Sequence, residues 1–159
     1  MNRKDSLMKL KELNIKLNID QNSKLNKKYI QFENLISELN TKQIPDVIAT
    51  YINDNIEAIN TISNSDKQLV KQIKNSQRGI LKLIEKELNL VTKNHYRNTW
   101  FVIGMGLGIA IGSAIGSSSG NTSLLALGIP IGFSIGIAIG TSKDKKAKDN
   151  GLQLDIEIK

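Results

Sequence analysis

The feature that most constrains this chain is a stretch, residues 98–142, without any Asp, Glu, Lys, Arg or His. The residues before it carry a charge every few positions, and lysines resume at Lys143. An apolar segment of this length without charge is typical of chain that crosses a lipid bilayer. The sequence therefore predicts a charged domain followed by a membrane module.

The charge-free stretch contains two apolar segments of membrane-spanning length, residues 100–118 and 124–142. A helix rises about 1.5 Å per residue, so each segment spans roughly the 30 Å hydrocarbon layer. The connector 117–123 is short, small and uncharged, and its Gly120 and Asn121 suit a tight turn. We predict a transmembrane hairpin of two helices over 99–142.

Glycine recurs every four residues in both predicted spans. Lipid tails are as apolar as leucine, so membrane helices associate by close backbone packing, and glycine removes the side chains that would keep them apart. We predict that the helices pack as a glycine zipper through two glycine stripes, Gly104, Gly108, Gly112, Gly116 and Gly128, Gly132, Gly136, Gly140.

A second small-residue face is offset by two positions from the glycine stripes. Its members are Gly106, Ala110, Ala114, Ala126, Ser134 and Ala138. One face would serve the hairpin and leave the other for a neighbouring subunit. We therefore expect a homo-oligomer in the membrane, with or without a pore along its axis.

Small and large residues alternate strictly in the spans, as in 128–136, and this alternation is also the signature of a membrane β-strand. A strand of about 17 residues would be about 55 Å long, well beyond a bilayer. Glycine also weakens strands, and Pro130 removes a ladder donor. Helices are the favoured interpretation.

Basic and aromatic residues flank the spans and predict their orientation. Cytoplasmic loops are enriched in Lys and Arg, and Trp lies at the membrane interface. We predict a bacterial inner-membrane protein with both termini in the cytoplasm, with interface anchors Arg97, Trp100, Lys143, Lys145 and Lys146. The amino terminus has no apolar run of signal-peptide length, which agrees with this orientation.

The formal net charge of +7 suggests an anionic partner. Most of the excess lies before residue 98, where a basic cytoplasmic face would be attracted to anionic lipid headgroups. Nucleic acid is the alternative, and the membrane explains the charge more simply.

The region 22–98 predicts a cytoplasmic helical domain. Apolar residues recur three and four positions apart in 25–39, 47–62 and 69–91, which predicts an antiparallel helical bundle or coiled coil. No proline or glycine separates Gly79 from Gly104. We therefore expect the third helix to run unbroken into the first span.

Two terminal segments alternate apolar and polar residues. They are Leu13 to Ile19, within an amino-terminal segment 1–21, and residues 152–158, within a basic cytoplasmic tail 143–159. Alternation predicts short β-strands, although the first segment also fits a helix. The fold class is thus mainly α, with short strands at the ends.

The sequence predicts no enzyme. It contains no cysteine and a single histidine, His95, so no metal or cofactor site is expected. A GxGxxxG string at 106–112 lies inside an apolar span rather than after a soluble strand, so we reject a dinucleotide loop.

The double span with its Lys-rich exit, residues 100–148, resembles the glycine-zipper membrane proteins of Bacteroidota. It resembles more loosely the hydrophobic hairpins of pore-forming colicins and the two-span holins of phages. The first resemblance implies a helical hairpin without chemistry, and the second implies permeabilisation of the inner membrane. The long amino-terminal domain departs from the holin pattern.

Two functions remain open at this point. In the first, the cytoplasmic helices bind a partner or signal while the hairpins assemble and permeabilise the membrane, as in toxin or phage-defence effectors. In the second, the hairpin is a non-conducting anchor or scaffold for a coiled-coil partner.

Overall fold

The computed structural model describes residues 24–62, 66–120, 123 and 125–158. This part of the chain contains five α-helices and no β-strand: α1 (Lys24–Asn40), α2 (Asp46–Asn60), α3 (Asp66–Leu88), α4 (His95–Ser119) and α5 (Leu125–Asp149). Two compact units can be separated. The helical unit comprises the described residues up to Leu90 together with Leu154–Ile158, and the hairpin unit comprises Val91–Gln153.

The core of the helical unit lies along α3, which packs against both α1 and α2. Buried positions follow the three-and-four spacing of the sequence. The helices predicted in 25–39, 47–62 and 69–91 are confirmed, the last two as far as Asn60 and Leu88. Phe32, Ile52 and Ile80 are fully buried. Other members of this core are Leu25, Leu35, Ile36, Leu39, Ile44, Ile48, Ala49, Ile56, Ile59, Leu69, Ile73, Ile84 and Leu90.

The prediction of an unbroken helix from α3 into the first span is wrong. Helix α3 ends at Leu88 and α4 begins at His95. Asn89 adopts a left-handed backbone with φ of 55°, and the Leu90 N–H donates to the Ile84 carbonyl at 3.2 Å. This hydrogen bond joins residues six apart in the sequence and closes the carboxyl end of α3. Asparagine adopts the left-handed conformation more readily than most residues. The break therefore needs neither glycine nor proline.

The carboxyl-terminal tail does not form the predicted strand over 152–158. Its one β-contact in the described residues is an isolated parallel bridge between Val91 and Gln153. Leu154 is fully buried in the helical core, and the Asp155 N–H donates to Oε1 of Glu38 at 3.0 Å. The alternation matches burial, because Leu154, Ile156 and Ile158 pack with the helical core, whereas Asp155 and Glu157 are exposed. The amino-terminal strand prediction falls outside the described residues.

The hairpin unit consists of α4 and α5 packed antiparallel along their length. Its two chain ends are joined, because the Val91 N–H donates to the Leu152 carbonyl at 3.0 Å. Helix α5 continues through Pro130. At the end of the hairpin opposite the turn, both helices extend beyond the predicted spans. Helix α4 begins at His95 rather than at residue 100, and α5 ends at Asp149 rather than at residue 142.

Candidate membrane hairpin

The two glycine stripes form the contact between α4 and α5, and all eight glycines are buried. A Cβ atom built on Gly132 would lie 2.7 Å from the Cα of Gly108, and one built on Gly128 would lie 2.7 Å from the Cα of Gly112. Real Cβ contacts are longer than this, so any larger residue would force the backbones apart. The helices are in direct backbone contact here.

The close contact continues to the base of the hairpin, where the stripe meets residues other than glycine. Gly136 faces the Trp100 carbonyl, and a Cβ on Gly140 would lie 2.5 Å from the Cα of Arg97. Glycine is therefore required at these two positions of α5 even though larger residues lie opposite. The backbone of α4 occupies the space that a side chain on α5 would need.

The second small-residue face is exposed in this unit. Two residues rotate a helix by about 200°, which places this face opposite the glycine stripes. A Cβ on Gly106 would meet no atom within 4 Å. The other predicted members are also exposed: Ala110, Ala114, Ala126, Ser134 and Ala138.

Large apolar side chains cover the outside of the hairpin. Val102 is 60% exposed and Leu127 is 59% exposed. The others that point outward are Phe101, Ile103, Met105, Leu107, Ile109, Ile111, Ile115, Ile131, Ile135 and Ile137. Both helices are long and apolar enough to cross a membrane, and only 22% of each apolar window is buried.

Asp144 was missed by sequence reasoning and is the buried carboxylate of the hairpin, with 8% of its surface exposed. The Tyr96 N–H donates to Oδ1 at 3.0 Å, and the Arg97 N–H donates to Oδ2 at 2.9 Å. The first N–H groups of a helix lack acceptors within the helix and form the positive end of its dipole. Asp144 on α5 therefore caps the first turn of α4. Its sequence signal is an acidic residue within a lysine cluster.

The predicted interface anchors lie at the same end of the hairpin. The Lys143 ammonium lies 5.6 Å from the centre of the Trp100 ring and 5.8 Å from that of Tyr96. Cations are attracted to aromatic faces within about 6 Å. Lys145 and Lys146 are exposed, whereas Arg97 and Trp100 are half-buried. Of the predicted anchors, the structure thus brings Trp100 and Lys143 into contact. Tyr96, which was not predicted, provides a second ring for the same ammonium group.

One aromatic pair joins the two helices within the apolar segment. The rings of Phe101 and Phe133 stack with centres 4.5 Å apart and planes 9° apart. Ser113, Ser119 and Ser134 direct their hydroxyls to carbonyls of their own helices. These serines therefore meet their hydrogen-bonding needs without water.

Within residues 24–62, 66–120, 123 and 125–158, no group of three or more His, Asp and Glu side chains is close enough to hold a metal ion. No family model, curated protein or solved structure matches this chain. The functional argument therefore depends on the geometry of the two units.

Proposed function

We propose that the hairpin unit crosses the bacterial inner membrane and anchors the helical unit at its cytoplasmic face, as an oligomeric and non-conducting scaffold. One observation carries this proposal: glycine lies inside the hairpin and large apolar side chains lie outside. Water would oppose such an exposed apolar surface, whereas lipid tails solvate it. The helical unit then provides the surface for a cytoplasmic protein partner.

Two arguments support placing both termini in the cytoplasm. Lysine and arginine flank both ends of the charge-free stretch, as the positive-inside rule requires of cytoplasmic segments. The helical unit also contains chain from both sides of the hairpin, since Leu154 belongs to the same core as Phe32. Segments that share a core occupy one compartment, so the number of membrane crossings must be even.

Self-association is proposed through the second small-residue face. A single hairpin leaves this face open, and small residues allow the close backbone approach that drives helix association in lipid. We expect Ala110→Leu to reduce the oligomer to a smaller species in light scattering in detergent. The matched control Ile111→Leu changes an outward-facing large residue and should leave the size unchanged. An unchanged size for both variants would contradict this interface.

The membrane topology is tested by thiol labelling, because the chain has no native cysteine. A membrane-impermeant maleimide applied to intact spheroplasts should label Ser119→Cys, at the turn of the hairpin. It should label Lys148→Cys only after lysis. Labelling of both variants in intact cells would overturn the orientation, and release of the protein by carbonate would overturn membrane insertion.

Permeabilisation is a second candidate function. The exposed small face carries the Ser134 hydroxyl, with Ser118 and Ser142 on the same side of their helices, and hydroxyls can line a water-filled path. Ion flux through liposomes containing the purified protein separates the candidates. Flux from the wild type that disappears in Ala110→Leu would favour a pore. A defined oligomer without flux supports the scaffold.

A further inference from the structure

The glycine stripes do not by themselves fix the register of α4 against α5. Both stripes repeat every four residues. A four-residue screw step moves a helix about 6 Å along its axis and rotates it by about 40°. Gly104 lies against Gly132 and Gly136. One step would place it against Gly136 and Gly140, so glycine would face glycine again.

The observed register is not the one that pairs most glycines. Gly136 faces the Trp100 carbonyl in addition to Gly104, and Gly140 lies against Arg97. One step along the hairpin would place Gly136 against two glycines and bring Gly140 to Gly104. Other groups must therefore select the register that the structure adopts.

Asp144 has the properties of such a group, because its hydrogen bonds exist in one register only. Its two oxygens accept the N–H groups of Tyr96 and Arg97, which belong to the first turn of α4. A step deeper into α4 would place the carboxylate opposite N–H groups that already bond within the helix. A step in the other direction would place it before the helix. A buried carboxylate without donors is strongly unfavourable.

We propose that Asp144 is the positioning residue that selects the register of the hairpin. Without it, the glycine stripes populate a second register one four-residue step away. The hydrogen bond from the Val91 N–H to the Leu152 carbonyl, the Phe101–Phe133 stack and the contact of Lys143 with Trp100 add preferences for the same register. This role goes beyond the proposed scaffold function and does not depend on whether the hairpin conducts ions.

The test uses three double-cysteine variants of the full-length protein in detergent. Phe101→Cys is combined with Phe133→Cys for the observed register, and with Ile129→Cys or Ile137→Cys for a step in either direction. A short bifunctional thiol reagent gives intramolecular cross-links, which retain the mass of the monomer. All three variants lack the phenylalanine at 101, so none of them retains the Phe101–Phe133 stack.

With Asp144 present, the 101–133 cross-link should dominate. Asp144→Ala should raise the ratio of a shifted cross-link to the 101–133 cross-link at least about tenfold, as expected for the loss of one charge-assisted hydrogen bond. Asp144→Asn retains one oxygen acceptor and should give an intermediate ratio. The control Asp149→Ala removes an exposed carboxylate of the same helix and should leave the ratio unchanged.

An unchanged ratio in Asp144→Ala would overturn the proposal. Loss of all three cross-links with helicity retained would also overturn it, because Asp144 would then hold the hairpin closed rather than choose its register. If Asp144→Ala does not give soluble protein, Asp144→Asn carries the test, and an unchanged ratio there has the same meaning. Circular dichroism on each sample verifies that the helices are formed.

Discussion

The helical unit and the hairpin unit bury opposite kinds of residue. Phe32 and Ile52 are fully buried in the helical unit, whereas the hairpin buries glycine and exposes residues such as Val102 and Leu127. In water, removal of apolar surface drives helices together. In lipid that driving force is absent, and backbone contact replaces it. With the hairpin in the membrane, as we propose, the difference in buried residues follows from the difference in solvent.

The two units also differ in how they treat buried polar groups. In the helical unit, Nε2 of Gln77 is buried and has no hydrogen-bond partner among the described residues. In the hairpin, the carboxylate of Asp144 is buried with a donor on each oxygen. An unpaired amide costs far less free energy than an unpaired charge. The group whose desolvation costs more is thus the one with a hydrogen-bond donor for each of its oxygens.

The largest effect that we predict comes from removing bulk in the helical unit. Phe32→Ala should lower its free energy of unfolding by about 3–5 kcal/mol, because a fully buried ring leaves a cavity. The hairpin counterpart Leu107→Ala changes an exposed side chain and should cost less than about 0.5 kcal/mol. Urea unfolding in mild detergent, followed by circular dichroism, measures both. Equal losses would contradict the contrast between the units.

The next effect assigns the carboxyl-terminal tail to the helical unit. Leu154→Ala should destabilise that unit by about 2–5 kcal/mol, because Leu154 is fully buried among its helices. Glu157→Ala, at an exposed position of the same tail, is the control. The same unfolding experiment measures both variants. The cross-link between cysteines at positions 101 and 133 shows separately whether the hairpin is intact. A loss of that cross-link without destabilisation would place the tail with the hairpin instead.

A larger side chain in the glycine contact should destabilise the hairpin, just as a smaller side chain in the core destabilises the helical unit. Gly132→Leu forces a side chain into the backbone of Gly108 and should cost about 1–3 kcal/mol or separate the helices. Gly106→Leu adds the same group on the open face and should leave the pair intact. Fluorescence of Trp100, the only tryptophan, reports the change in its contact with α5. Equivalent spectra for both variants would refute the glycine contact.

The smallest effect concerns the break between the units. Asn89→Ala places an alanine in the left-handed region and should destabilise the helical unit by about 1 kcal/mol. Asn89→Gly adopts the same conformation without strain and should cause no loss. Unfolding in urea distinguishes them. Identical destabilisation by both substitutions would mean that the asparagine side chain, rather than the backbone conformation, ends α3.

The sequence alone determined that both units are helical, and it determined the apolar face of the helical unit and the glycine stripes of the hairpin. The charge-free stretch and the four-residue glycine repeat are local patterns, and a helix converts such a pattern directly into a face. For this reason the contact of Gly108 with Gly132 and the exposure of Gly106 agree with the predicted stripes.

Only the tertiary structure decided where α3 ends, what the tail packs against and which register the hairpin adopts. The helix break depends on the left-handed backbone conformation of Asn89. Asp155 and Asp144 have partners far away in the sequence, on α1 and α4 respectively. Spacing along one helix contains no information about such partners, because a periodic pattern fixes a face and leaves its position along the neighbouring helix open.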